Sequence, residues 1–377
     1  MIKVIEAISD TNIGGAGILL FNRLKHTDSE KFKTVIILPR GSLLLEKFKK
    51  MGAAVIEING CRDRSFDLRA VFEYLYILKR LKPDVINSHG SLSFRIAAML
   101  SGVPVKIYTR HCVYPVKNNS AVLKALRGWG SYLLSNHIIA VAYAARDNLL
   151  ELGIDKNKIS VIINGAEALK SLNEEEKTTI RDKYGISKEE KVVTICARLE
   201  SCKDHLSFLK AAKLLSERSE RYRFLIIGAG NLERALKNYV KANKLESKVI
   251  FTGYLDDVAP LLNITDVNVN CSVGTETSSL ALSEGMSLGI PAVVSDYGGN
   301  PYMVRDRVNG YVYKVGDFKD LAAKIEKICT SDEEEYVRLS AASKKRFLEE
   351  LNAEQMTKAT QKLYLKLYEA SKNRSKH

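Results

Sequence analysis

Short apolar, β-rich runs alternate with amphipathic stretches from the first residues onward. Strand-like runs fall at Lys3–Ala7, Thr34–Leu38, Ala54–Ile58, Val85–Ser88, Val105–Thr109, His137–Val141 and Ile159–Ile163. Between them, apolar residues recur at helical spacing in Gly17–Leu24, Leu44–Met51, Leu68–Leu81, Ser91–Ser101 and Tyr143–Leu152. Strand and helix in alternation is the rhythm of βαβ units, which build a parallel sheet with helices on both faces. The rhythm restarts after Asn164-Gly165. A charged helical connector, Lys170–Tyr184, leads to strand candidates at Val192–Ala197, Phe224–Gly228, Val249–Thr252, Val267–Asn270 and Ala292–Ser295. The pattern predicts two α/β domains with doubly wound parallel sheets, residues 1–165 and 166–352. From Ser331 the chain becomes helix-like and charged. Its last helix, about Ala353–Tyr368, has apolar residues at Met356, Leu363, Tyr364 and Leu367. Periodicity alone leaves open whether that helix caps the second domain or crosses back to the first.

The 377-residue length agrees with two domains, because single cores stop growing near ~250–300 residues. No apolar run approaches the ~18–20 residues of a membrane-spanning helix. Met1-Ile-Lys-Val-Ile-Glu starts on a strand-like segment and not on a signal peptide, so a soluble, cytoplasmic protein is expected. The six cysteines (Cys61, Cys112, Cys196, Cys202, Cys271, Cys329) show no C-x-x-C spacing and no paired histidines, which points to reduced thiols and no metal site.

Charge separates the two halves. The net charge is +14, and residues 1–165 hold 24 Lys+Arg against 13 Asp+Glu, a balance of +11. No acidic residue lies between Asp84 and Asp147, while Arg95, Lys106, Arg110, Lys117, Lys124, Arg127 and Arg146 do. Such a field attracts anions. It is read either as a solubilising surface with a few phosphate ligands or as a face for anionic lipid headgroups. The stretch Val113–Leu134 supports the lipid reading, since Tyr114, Leu123, Leu126, Trp129, Tyr132 and Leu133 interleave with Lys117, Lys124 and Arg127. Nucleic acid is not an expected partner, because no RNP, helix-turn-helix or zinc-finger pattern occurs.

In open parallel sheets ligands bind beyond the carboxyl ends of the strands, so chemistry is sought in the loops there. Ile13-Gly14-Gly15-Ala16-Gly17 follows the first strand and opens a helix, either as a tight turn or as a loop that lets backbone approach a phosphate or sugar. It is not G-x-G-x-x-G, and no acidic ribose clamp ends the second strand. Ile226-Ile227-Gly228-Ala229-Gly230 repeats the arrangement in the second half with the same two readings. Ala197-Arg198-Leu199-Glu200-Ser201-Cys202-Lys203 sets a planar fork and a point charge at a strand end, which suits a diphosphate or is surface charge. Glu276-Thr-Ser-Ser-Leu-Ala-Leu-Ser-Glu284 brackets a helix start with two carboxylates able to accept from sugar or ribose hydroxyls. Ser278, Ser279 and Leu280 would offer helix N-terminal amides to an anion; the plain alternative is a capped helix with two solvated acids. His89 and His111 end strands, as cleft residues or as buried hydrogen-bonded ones.

Taken in order and spacing, these segments resemble the family 4 (group 1) glycosyltransferases of the GT-B fold, over essentially the whole chain. The family's E-x7-E signature is Glu276 to Glu284. It continues into Gly285-Met286, Gly289-Ile290-Pro291-Ala292-Val293-Val294 and Gly298-Gly299-Asn300. The strand end G-R-L-x-x-x-K is matched by Ala197-Arg198-Leu199 and Lys203, and the hinge by Val161-Ile162-Ile163-Asn164-Gly165. The resemblance implies two Rossmann-like domains facing each other across a cleft, with the terminal helix (353–377) returning to the first. It implies retaining, metal-independent, cofactor-free transfer of a hexose from a nucleotide-diphosphate sugar. Arg198 and Lys203 would neutralise the leaving diphosphate, Glu284 would hold the ribose, and Glu276 would contact the donor sugar. Ser278–Leu280 amides would touch sugar or phosphate, and Gly14-Gly15 would approach the diphosphate from the first domain. Gly228 is a further donor-side candidate, the base pocket is expected at the backbone near Gly253-Tyr254-Leu255, and His111 would position the donor sugar. His89, Arg110 and Lys117 are acceptor-side candidates.

Ala197, Asp204-His205 and Thr277-Ser278-Ser279 depart from the family's commonest residues and leave the donor sugar open. The expected activity is synthesis of a cell-surface polysaccharide, lipopolysaccharide or glycolipid on a lipid-linked or glycan acceptor, with peripheral contact at the inner face of an anionic membrane. The competing readings are a GT-B sugar-nucleotide epimerase, which would consume sugar-nucleotide without acceptor, and a catalytically inactive scaffold.

Overall fold

The computed structural model describes residues 1–113, 120, 130 and 133–374. The described chain divides into two compact units, Met1–Gly165 with Ala353–His377, and Ala166–Asn352.

The first unit is a seven-stranded sheet of β1 (Ile2–Ile8), β2 (Phe32–Pro39), β3 (Ala54–Ile58), β4 (Val85–His89), β5 (Val105–Arg110), β6 (His137–Ala140) and β7 (Ile159–Val161). Every pairing is parallel, in the order β3-β2-β1-β4-β5-β6-β7. β1 and β4 are buried almost throughout, as expected where helices cover both faces of a parallel sheet. One core packs the helices Leu68–Leu81 and Leu92–Leu100 through Tyr74, Leu78, Phe94 and Ala97 against Ile5, Ile37 and Ile86. Asp67 caps the first of these helices at the Arg69 amide, and Ser91 caps the second at Phe94. The long terminal helix Ala353–Arg374 belongs to this unit and packs on the helix Gly15–Lys25.

The second unit holds six parallel strands: β8 (Lys191–Cys196), β9 (Tyr222–Ile227), β10 (Val249–Gly253), β11 (Val267–Asn270), β12 (Ala292–Ser295) and β13 (Gly310–Tyr313). Their order is β10-β9-β8-β11-β12-β13. The edge strand β13 adds to the strands read from sequence. The connector is shorter than its pattern suggests: the helix runs Glu174–Lys183, because Asn173 and Glu176 close a capping box there.

Both sheets reverse strand order beside their first strand, at β1/β4 and at β8/β11. A doubly wound sheet opens its crevice at such a point, outside the carboxyl ends of the strands. The candidate residues follow those strands.

Candidate active site

In the second unit, β8 ends at Cys196 and leads to Arg198 and Lys203, and its neighbour β11 ends at Asn270 and leads to Glu276. Glu276 is buried at 5% exposure. Its Oε2 accepts from Lys203 Nζ at 2.6 Å, Ser272 Oγ at 2.7 Å and Asn270 Nδ2 at 3.2 Å. Burial pushes the Glu276 carboxyl up, but the Lys203 charge and these hydrogen bonds outweigh it and hold the carboxyl below its ordinary value. Asn270 and Ser272 were not singled out in the sequence, where they read as an ordinary strand end. Arg198 is exposed and, among the described residues, its guanidinium makes no ion pair.

The loop after β12 explains its glycines. A Cβ on Gly299 would lie 1.5 Å from the Thr277 carbonyl oxygen, so Gly298-Gly299 clasps the backbone that carries Glu276. Gly228, at φ +139°, is likewise pressed on the Ala197 carbonyl, so loop packing suffices to explain that glycine.

The helix Leu280–Ser287 starts from Ser279, whose side chain caps the Leu282 amide. Glu276 thus lies three residues before the cap and Glu284 in the second turn. The Ser279 amide is not free, since it donates to Met303 Sδ at 3.2 Å. Leu280 holds the first helical position, where an amide has no intrahelical acceptor. Ser278 Oγ is buried without a hydrogen-bond partner among the described residues. Glu284 is mostly buried, and among the described residues its carboxyl makes no hydrogen bond. Burial, with Asp257 adding repulsion, pushes it up to about 7. Tyr254 is exposed beside Asp256, and Leu255 is half-buried against the core.

In the first unit, Gly14 is the N-cap of the helix Gly15–Lys25, and a Cβ on Gly15 would meet nothing within 4 Å. A cavity of about 230 Å³ opens above β1, β4 and β5, lined by Ser9, Asp10, Asp63, His89, Arg110 and His111 among others. Arg110 is held by the Tyr108 hydroxyl and Asn148 Oδ1, both at 3.3 Å. His89 Nδ1 lies 2.8 Å from His111 Nε2, and His89 Nε2 lies 2.8 Å from Glu6 Oε2. Glu6 also pairs with Arg23 and accepts from the Tyr364 hydroxyl at 2.9 Å. Glu6, Arg23 and Tyr364 escaped the sequence reading; the available signal was a lone acid, Glu6, inside the apolar strand Ile2–Ile8. Lys117, and most of the stretch Val113–Leu134, lie outside the described residues.

No disulfide joins the six cysteines. Among the described residues no group of His, Cys, Asp and Glu could hold a metal ion, and no helix is long and apolar enough to cross a membrane.

Two Rossmann-like sheets with these loops in one chain define the GT-B fold. The glycosyltransferase family 4 model matches residues 13–168, and the model of glycosyl transferases group 1 matches 176–346. The chain belongs to this family of glycosyltransferases. An Escherichia coli relative, UDP-Gal:alpha-D-GlcNAc-diphosphoundecaprenol alpha-1,3-galactosyltransferase, is 29% identical over 270 residues, 68% of this chain and 70% of that one. Among solved structures, a glycosyltransferase from Rickettsia africae superposes with a TM-score of 0.84 at 20% identity, over 97% of this chain and 98% of that one. Anabaena HepE in complex with UDP-glucose superposes at 0.82 with 16% identity, over 96% and 99%.

Proposed function

We propose that this chain is a retaining, metal-independent hexosyltransferase that moves a sugar from a UDP-hexose to a lipid-linked or polysaccharide acceptor in cell-surface glycan synthesis. The observation that carries the reading is the Glu276–Lys203 pair at the β8/β11 switch point, with Arg198 exposed on the loop that leads from β8 to Lys203. In this reading Arg198 and Lys203 meet the diphosphate. Charge develops there as the bond from C1 to the phosphate oxygen breaks, so cations stabilise the transition state more than the ground state. The acceptor oxygen bonds to C1 on the same face, and the departing phosphate oxygen takes its proton. Glu276 accepts from the donor sugar, Glu284 from the ribose, and Ser278 Oγ and the Leu280 amide reach sugar or phosphate. His111 positions the donor sugar, and the cavity beside His89 and Arg110 is the acceptor side. The relatives' names support a nucleotide donor carrying uracil and an acceptor on a polyprenyl diphosphate.

The enzyme works against an anionic membrane. Leu68, Phe72 and Tyr76, four residues apart on the helix Leu68–Leu81, are each more than 60% exposed. Arg64, Arg69, Lys79 and Arg80 flank them and are exposed too. An apolar row rimmed by cations on the basic unit fits a headgroup interface.

Thermal unfolding with UDP, GDP, ADP and their sugar conjugates tests the donor site. UDP at 100 times its dissociation constant should stabilise by about 2.7 kcal/mol, and Arg198→Ala should abolish the shift. No nucleotide shift in a folded sample overturns the reading, and sugar-nucleotide turnover without acceptor points to an epimerase.

A further inference from the structure

The loop between β3 and the helix Leu68–Leu81 alternates fastened and unfastened residues. Cys61 donates its amide to Asp67 Oδ2 at 3.0 Å. Asp63 donates its amide to the Ser9 carbonyl at 3.0 Å, and its carboxylate accepts from the Thr11 amide at 2.8 Å and from the Thr11 hydroxyl. The Ser65 hydroxyl donates to the Gly90 carbonyl at 2.7 Å, and the Ser65 carbonyl accepts from the Leu92 and Ser93 amides. Asp63 and Ser65 thus tie the loop to the segments that follow β1 and β4. Cys61 at φ +60° and Asp63 at φ +53° are left-handed, a conformation that a residue other than glycine keeps where its surroundings enforce it.

The residues between them differ. Arg62, Arg64 and Phe66 are exposed. Among the described residues neither guanidinium makes a hydrogen bond or an ion pair, although the Asp67 carboxyl feels the charge of Arg64. Asp63 pairs with neither, since both of its oxygens accept from Thr11. A loop pinned at every second residue presents its two cations with little further ordering to be done on binding.

The neighbours of the loop give an order. Asp63 and Ser65 line the cavity of about 230 Å³ above β1, β4 and β5. Phe66 leads the other way, to the exposed row Leu68, Phe72 and Tyr76, which is ~12 Å long on a helix. A polar cavity, two guanidiniums and an apolar row therefore follow one another along the chain. The Cα atoms of Arg62 and Arg64 are at most ~7 Å apart, and each planar fork suits phosphate oxygens, so both can meet one diphosphate.

We infer that Arg62 and Arg64 hold the diphosphate of a lipid-diphosphate acceptor, whose sugar enters the cavity and whose hydrocarbon chain leaves along Phe66 and Leu68. This rests on the proposed reading, in which that cavity is the acceptor side. The two arginines bind and orient the acceptor and take no part in bond making. A monophosphate-linked or uncharged acceptor leaves a fork unfilled, so the loop selects acceptors by their linkage.

The test is calorimetric titration of the full chain with farnesyl diphosphate, farnesyl monophosphate and inorganic diphosphate, with UDP saturating so that the donor site is filled. Wild type should bind farnesyl diphosphate about tenfold or more tightly than either of the others. Arg62→Ala with Arg64→Ala should weaken that binding by about tenfold or more, because charge-assisted hydrogen bonds are the strong ones. Both side chains lack protein partners, so the variant should keep its Tm and its UDP-induced thermal shift. Lys49→Ala with Lys50→Ala removes the same charge from the helix Leu45–Lys50 and should leave farnesyl diphosphate binding unchanged. Equal affinity in wild type and the arginine variant overturns the inference, as does equal affinity for the monophosphate and the diphosphate. An arginine variant that loses sedimentation with phosphatidylglycerol vesicles but still binds farnesyl diphosphate overturns it too, and assigns the arginines to the membrane face. Absence of any nucleotide effect would instead defeat the transferase reading and leave the lipid-diphosphate result standing.

Discussion

Lys203 Nζ sits 2.6 Å from Glu276 Oε2, and both side chains are mostly withdrawn from water. The pair is at once a structural lock on the loop after β11 and the proposed contact with the donor. Those two duties separate by mutation. Lys203→Met strands a buried carboxylate and should cost about 3–5 kcal/mol. Lys203→Met with Glu276→Leu removes both charges and should return most of that stability. Neither variant should transfer sugar. Urea unfolding read beside a transfer assay checks this, and a double variant no more stable than the single one sinks the argument.

Glu284 gives a pH signature. Its folded carboxyl is pushed up from the ordinary 4.5 to about 7. The native state thus holds a proton that the unfolded chain releases sooner. The resulting stability is complete below about pH 4.5 and is lost as pH rises through 7. Glu284→Gln should match wild type near pH 4.5 and be the more stable at about pH 8, by up to ~3 kcal/mol. Ribose hydroxyls favour the ionised carboxylate, so UDP binding to wild type should tighten as pH passes 7 and stay flat in the variant. Calorimetric titration across that range measures both slopes.

Two glycines should behave oppositely. Gly299→Ala drives a methyl group into the Thr277 carbonyl, so the loop behind Glu276 must move, and a loss of several degrees in Tm is expected. Gly15→Ala finds open space and should melt as wild type does. A weaker UDP shift in Gly15→Ala at unchanged Tm would mark the loop as one that a ligand approaches.

Phe72→Ser with Tyr76→Ser should leave transfer to a short soluble acceptor unchanged and abolish sedimentation with vesicles rich in phosphatidylglycerol. Wild-type binding should weaken with salt, since exposed charges are screened beyond about 10 Å at 0.1 M. Binding equally well to neutral vesicles, or a shift from dimer to monomer in the variant, would show that the row serves another purpose.

Much of this was legible before any coordinates. Strand runs such as Val192–Cys196 are apolar but for Thr194 because both sheet faces are covered, and Glu276 and Glu284 fall three residues before the Ser279 cap and in the second turn. What stayed hidden depends on meetings across the sheet. Glu6 looks like a surface residue until β1 is set beside β4 and Ile8 falls opposite His89. Tyr364 reads as one apolar position of a helix, and nothing local says that its hydroxyl reaches residue 6. The row Leu68, Phe72, Tyr76 lies in a stretch that reads only as an amphipathic helix, and periodicity does not tell which side faces water. The short edge strand Gly310–Tyr313 begins on a glycine and has too few residues for a period.

The terminal helix carries a consequence for how the protein is made. Tyr364 donates to Glu6 across 358 residues of sequence, while Ala166–Asn352 forms a contiguous unit of its own. On the ribosome the second unit emerges whole, and the first must wait with its β1 carboxylate and Arg23 unsealed until the final helix is translated. A messenger cut short before residue 364 would yield a chain with the second unit whole and the contact between Tyr364 and Glu6 missing from the first.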